Sequence, residues 1–325
     1  MSAPGGARPR VLLTGTMDPA GERLIAEAAE VVLAPDARPD TLRRLIADAD
    51  VLVVRSALPA DLLDHAPRLI GIVRQGVGVD MIPMAAANAR RLPVANVPGS
   101  NRHAVAEHAM ASLSLLRRRT LALDARLRSE GWEASRALAD GAAELHGAVL
   151  GIVGVGEIGT RIAEIAHHGY GMRVLGHQRR LAALPSFVEG AALDDLLARS
   201  DAVVLACPLT EATRGLLDAR RLALLPRHAV LVNVARGAVV DETALVEALR
   251  ARRLAGAALD VFATQPLPPE HALFSLDNVL LTPHAAGLTQ QSMHRMSVGA
   301  AEEVRRLLAG QQPLSLVNRE ALDGK

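Results

Sequence analysis

The chain has 325 residues, half of them hydrophobic and only 2% aromatic, with 36 basic against 35 acidic residues and a formal net charge of +1. That length exceeds the usual single-core size, so two domains are expected. The balanced charge and scarce aromatics argue against a nucleic-acid partner, because neither a broad basic field nor a base-stacking platform is available.

The first nine residues are Gly/Pro/Ala-rich and lack the apolar segment of a signal peptide. From there to about residue 100, short apolar runs alternate with amphipathic stretches. The runs at 11–13, 31–33, 51–54 and 69–73 read as strands, and 20–29, 39–48 and 59–65 as the helices between them. Such alternation implies a parallel sheet with helices on both faces, a fold that binds ligands at the carboxyl ends of its strands. The loops carrying Arg55-Ser56 and Gln75-Gly76-Val77-Gly78 are therefore of interest. A long helix follows from Asn101 to about Arg119, with Ser100 or Asn101 as its cap and Arg117 to Arg119 as a solvated end.

A second α/β series starts at residue 148. Its strands are expected at 148–153, 172–176, 202–206, 229–234, 255–259 and 278–281, one six-stranded sheet. The first of these runs into Gly154-Val-Gly156-Glu157-Ile158-Gly159, a G-x-G-x-x-G string, with a helix from Ile158 to His167 behind it. Gly154 permits the tight turn, Gly156 lets backbone approach a pyrophosphate, and Gly159 lets helix and strand pack closely. The helix N-terminus then offers free N–H groups to the phosphates. The motif sits in mid-chain, so the nucleotide domain is inserted into, or follows, something else. After His284 a final helix at roughly 289–309 is expected to return to the first domain. The resulting division is a first domain of 1–98 and 288–325 and a dinucleotide-binding domain of 99–287. One cysteine, Cys207, rules out an internal disulfide framework and suits a reducing compartment. No window approaches an uninterrupted transmembrane span. The expectation is a soluble, cytoplasmic protein with no membrane partner and no metal.

Three residues at strand ends carry chemistry. Arg236 follows an apolar strand and can clamp a carboxylate bidentately, which lysine cannot; the plainer alternative is a surface salt bridge. His284, after Leu281-Thr282-Pro283, places an imidazole where it can move a proton near neutral pH. Asp260 can hydrogen-bond the cofactor's amide or simply cap the next turn.

These residues lie within a set of ordered motifs: Gln75-Gly-Val-Gly-Val-Asp80, Asn101 with Val105-Ala-Glu107, the glycine string, Pro208-Leu-Thr210, Asn233 to Val240, Ala258-Leu-Asp-Val-Phe262 and Thr282-Pro-His284. Together they resemble the D-isomer-specific 2-hydroxyacid dehydrogenases over nearly the whole chain. The resemblance implies two doubly wound parallel-sheet domains, a Rossmann dinucleotide domain inserted in a flavodoxin-like substrate domain, with a cleft between them. It implies that Arg236 binds a 2-oxo acid, that His284 is the acid/base, and that Gln265 orients His284. Backbone groups around Val77 and Gly78 would hold the substrate carboxylate, with Asn101, Arg55 and Ser56 also on the substrate side. The cofactor side would comprise Gly154, Gly156, Glu157, Ile158, Gly159, Cys207, Pro208, Thr213, Val234, Ala235, Asp260 and His284. A homodimer is implied as well, formed through the nucleotide domain and the long helix near Asn101.

Two departures from the family pattern matter. Most of these enzymes carry a glutamate where this chain has Gln265. Glutamine can orient the ring but cannot stabilise imidazolium by charge, so His284 is expected to titrate lower than in a Glu–His pair. Formate dehydrogenases also carry glutamine there, which makes formate oxidation a rival reading. Corepressors that use the cofactor to control assembly are a second rival. The other departure lies after Val174-Leu175-Gly176, where His177-Gln178-Arg179-Arg180 replaces the acidic residue that binds the ribose 2′-hydroxyl. With no carboxylate to repel a 2′-phosphate and two arginines to pair with it, NADP(H) is the preferred cofactor, with NAD(H) left open.

Overall fold

The computed structural model describes residues 8–323; the expectations for residues 1–7 and 324–325 lie outside the described residues. The chain forms two compact units, a first of Met1–Asn101 with Leu288–Lys325 and a second of Arg102–Gly287.

The first unit is built on a five-stranded parallel sheet, β1 (Arg10–Leu13), β2 (Glu30–Leu33), β3 (Val51–Val54), β4 (Gly71–Arg74) and β5 (Val94–Ala95), in the order β2-β1-β3-β4-β5. Helices cover both faces, so the unit has two apolar cores, one around Leu42, Leu52 and Ile72 and one around Ile25, Val53 and Val304. Central strands buried on both faces read as unbroken apolar runs, which is why β3 is Val-Leu-Val-Val. Asp18 caps the helix Pro19–Ala26 through the Ala20 N–H at 2.8 Å, and Thr289 and Ser292 form a reciprocal capping box on the helix Gln290–Leu308. The Ala300–Leu307 part of that final helix lines the second core, which ties residues 288–323 into this unit.

The second unit carries a seven-stranded parallel sheet, β6 (Val149–Val153), β7 (Arg173–His177), β8 (Val188–Gly190), β9 (Ala202–Leu205), β10 (Val230–Asn233), β11 (Gly256–Leu259) and β12 (Val279–Leu281), ordered β12-β11-β10-β9-β6-β7-β8. Strand order reverses between β6 and β9, so their carboxyl ends frame the crevice where doubly wound sheets bind ligands.

Several expectations need correction. The second sheet has seven strands rather than six, because β8 pairs at its edge. The first unit gains β5, and the helix expected at 59–65 is one 3₁₀ turn, Leu62–His65. The long helix spans Arg102–Arg117, and neither expected cap serves it: Ser100 donates its hydroxyl to the Val97 carbonyl, while the Asn101 Oδ1 is buried without a partner. Arg117 is not a solvated end, since its guanidinium donates to the carbonyls of Glu144 and Asp201; Arg118 and Arg119 are exposed. The helix behind the glycine string runs Glu157–Glu164 and then widens into a π turn, Ile165–Gly169. Among the described residues no helix is long and apolar enough to cross a membrane.

Candidate active site

The glycine string behaves as its spacing demands. Gly154 has φ +95°, and a Cβ there would lie 2.6 Å from the Cys207 backbone, so the turn after β6 packs directly on the loop after β9. A Cβ on Gly159 would lie 2.1 Å from the Gly154 carbonyl oxygen. Gly156 differs: no protein atom lies within 4 Å of its would-be Cβ. This open space faces the start of the helix Glu157–Glu164, which no side chain caps. The first-turn N–H groups are thus available to an anion, and a pyrophosphate fits this cradle. Glu157, an acidic neighbour, is paired with Arg102 at 2.8 Å.

The other candidate cofactor residues occupy the same ends of the sheet. Ile158 is half-buried in the first helical turn, and Cys207 is buried, which pushes its thiol pKa up. Pro208 and Thr213 belong to one loop, the Thr213 hydroxyl donating to the Pro208 carbonyl at 2.7 Å. Val234 and Ala235 follow β10 and are buried. After β7, Arg179 and Arg180 are exposed, and Gln178 donates to the Arg180 carbonyl at 2.9 Å.

Arg236 owes its place to Asn233, which is buried to 1% exposure at the end of β10. The Asn233 amide accepts from the Ala235 N–H at 3.0 Å and donates to the Arg236 carbonyl at 3.1 Å, folding the loop back on itself. The Arg236 guanidinium donates to the Ala235 carbonyl at 2.7 Å and is half-buried. A side chain on Gly237 would collide with the Phe262 backbone at 1.9 Å, so this loop packs on the one that leads to Gln265.

His284 sits in the left-handed region, φ +55°, which a non-glycine residue adopts only when its surroundings impose it. Asp260 does so. Its carboxylate, 3% exposed, accepts from Thr282 Oγ1 at 2.6 Å, Ala285 N at 2.8 Å and Ala286 N at 3.0 Å, while its carbonyl accepts from His284 N at 2.8 Å. Of the two roles left open for Asp260, capping the turn is the one its hydrogen bonds serve. The His284 side chain is exposed, with Nδ1 3.1 Å from Gln265 Oε1. An amide oxygen there accepts from an Nδ1–H, which leaves Nε2 as the nitrogen directed to a reactant. Gln265 and His284 line a cavity of about 620 Å³ with Phe262, Leu267, Phe274 and Leu281.

In the first unit, Thr14 Oγ1 accepts from the N–H groups of Arg55 and Ser56 at 2.8 and 3.3 Å, joining the loops after β1 and β3. Arg55 faces a cavity of about 670 Å³ lined also by Met17, Leu288 and Met293. Its guanidinium donates to the Met293 sulfur at 3.1 Å, and burial lowers its pKa from the ordinary arginine value. Val77 and Gly78 are half-buried in the loop after β4, and Asn101 closes this unit's first segment. Residue types alone did not single out Asn233, Thr282 or Asn96 as site residues: Asn233 and Thr282 lie within the ordered motifs, whereas Asn96 follows β5, a two-residue strand that the sequence does not announce.

Residues 110–286 match the family model of the D-isomer specific 2-hydroxyacid dehydrogenase NAD binding domain. The chain is 38% identical to a glyoxylate reductase of Aeropyrum pernix, covering 97% of each. It is 37% identical to a D-3-phosphoglycerate dehydrogenase of Mycobacterium bovis over 95% of its own length, but spans only 59% of that longer relative. A crystal structure of an NADPH-dependent glyoxylate/hydroxypyruvate reductase from Sinorhizobium meliloti, in complex with NADP and malonate, superposes with a TM-score of 0.84 at 30% identity, covering 96% of this chain and 97% of the other. The chain belongs to the D-isomer specific 2-hydroxyacid dehydrogenase family.

Proposed function

We propose that the protein is a D-2-hydroxyacid dehydrogenase that prefers NADP(H) and reduces small 2-oxo acids such as glyoxylate or hydroxypyruvate. The observation that carries this reading is His284, held in a left-handed backbone by Asp260 with its Nδ1 tied to Gln265. A proton donor fixed in this way is of use to a reaction that needs a proton at one point. The cradle of Gly154, Gly156 and Gly159 would hold the pyrophosphate, and Arg179 and Arg180 the ribose phosphate. Bound NADPH would supply the hydride to C2 of the oxo acid. His284, charged before reaction, delivers the Nε2 proton to the carbonyl oxygen and is left neutral, and Gln265 keeps its ring in register. Arg236 draws the oxo acid in through its carboxylate and polarises the carbonyl as negative charge develops. The backbone N–H groups near Val77 and Gly78 suit a carboxylate, and Arg55 suits a polar or anionic substrate tail.

Initial rates with hydroxypyruvate and NADPH test this. Arg236→Lys keeps the charge but not the fork, and should lower kcat/KM by about 10²-fold or more. A wild-type protein that turns over no 2-oxo acid but oxidises formate, or that binds cofactor without turnover, would overturn it in favour of the formate or cofactor-sensing readings.

We also read the protein as a homodimer. The helix Thr120–Glu130 buries no residue, and Leu121, Leu127 and Trp132 stand exposed along this segment. A monomeric mass by light scattering would contradict it.

A further inference from the structure

The loop that follows β4 has an unusual hydrogen-bond balance, and it assigns work to two side chains. The peptides joining Gly76 to Val77, Val77 to Gly78 and Gly78 to Val79 have every carbonyl taken. Gly76 O accepts from Val97 N at 2.8 Å, Val77 O from Asn96 Nδ2 at 2.7 Å, and Gly78 O from Arg74 Nε at 3.0 Å. Arg74 Nη1 also holds Gln75 O at 2.6 Å and Val54 O at 2.9 Å, which ties the loop to the end of β3. Gly76, at φ +143°, leaves room for this, since a Cβ there would sit 3.1 Å from the Arg74 Cζ. Among the described residues, nothing accepts from the N–H groups of Val77, Gly78 or Val79.

In a trans peptide the C=O and N–H point in opposite directions. Fixing three successive carbonyls on donors therefore turns the N–H of each of these peptides away from its carbonyl's donor, where it can serve an anion. A guanidinium behind the carbonyls also polarises the peptides and strengthens their N–H groups as donors. We propose that Arg74 and Asn96 are positioning residues that make the 75–79 backbone the receptor for the substrate carboxylate, without touching the substrate themselves. The Arg74 guanidinium is turned onto the backbone carbonyls of Gly78, Val54 and Gln75. This inference rests on the reading of the substrate as a 2-oxo acid.

The test uses the NADPH-loaded protein and oxalate, an unreactive carboxylate probe, titrated calorimetrically beside hydroxypyruvate kinetics. In Arg74→Met the oxalate Kd and the hydroxypyruvate KM should each rise roughly tenfold or more, the loss of about one charge-assisted bond, with kcat within about threefold and the NADPH Kd unchanged. Arg74→Lys should fall between wild type and Arg74→Met. If Arg74→Met does not fold, Asn96→Leu decides alone, because it removes only the donor to Val77 O. Oxalate affinity and KM unchanged in a folded variant would overturn the proposal, as would kcat falling with KM constant, or wild type failing to bind oxalate. A wild type that binds oxalate but reduces no oxo acid would defeat the reaction reading alone, and the oxalate comparison would still decide the roles of Arg74 and Asn96.

Discussion

The loops leaving β6 and β7 are neighbours in one sheet, yet they are held in different ways. The β6 loop is shaped by backbone: Gly154 lies against Cys207, Gly159 against Gly154, and each allows no Cβ. The β7 loop is shaped by side chains, with Arg179 and Arg180 exposed and the Gln178–Arg180 hydrogen bond as its internal tie. The first arrangement suits a ligand part common to all dinucleotides. The second leaves the ribose end adjustable, because changing an exposed arginine disturbs no packing. In the proposed function, recognition of the pyrophosphate is thus tied to the fold, whereas the choice between NADP(H) and NAD(H) is separable from it.

The sharpest way to break that contrast is to place a side chain on two glycines of the same loop. Gly159→Val must displace backbone, so stability should fall by about 1–3 kcal/mol or more, and cofactor affinity should be lost. Gly156→Ala meets no protein atom within 4 Å, so the melting temperature should stay put while the NADPH Kd rises at least about tenfold through collision with the phosphates. Thermal melts and fluorescence titration separate the two. Undiminished affinity in Gly156→Ala would mean that the pyrophosphate lies elsewhere.

The β7 loop should respond in the opposite sense. Replacing both Arg179 and Arg180 with alanine should lower kcat/KM for NADPH by about 10- to 100-fold, as two charge-assisted contacts of roughly 1.5–3 kcal/mol are removed in part. The value for NADH should stay within about threefold, and the fold should be unaffected. Equal losses for both cofactors would show that the arginines do not read the 2′-phosphate.

The same contrast explains what was legible in the amino-acid order. β3, β6, β9 and β10 announce themselves because burial on both faces makes each an apolar run, and the glycines of the β6 loop are visible because nothing else fits. β5 and β8 were missed for a physical reason. They have two and three residues, and of Val188-Glu189-Gly190 only Val188 is buried, so no periodicity can emerge. In the candidate site, Arg236, Gln265 and His284 stand out through motif order, but the groups that hold them do not. That Asp260 collects three donors, or that Asn96 reaches Val77, depends on strands brought together by the fold.

Gln265 is the smallest change with a directional consequence. Its Oε1 accepts at the His284 Nδ1 as a glutamate would, so Gln265→Glu keeps the geometry and adds a charge about 3 Å from the ring. A neighbouring carboxylate favours imidazolium. With His284 as the proposed proton donor, reduction requires the protonated ring, so the alkaline limb of the kcat/KM profile for 2-oxo acid reduction should move upward, by about one pH unit if the added interaction is near 1.4 kcal/mol. Below that limb, where the ring is protonated in both proteins, rates should differ little. The reverse reaction needs neutral His284, so its acid limb should move upward with it. An unmoved limb in both directions would mean that His284 is not the group whose protonation governs turnover.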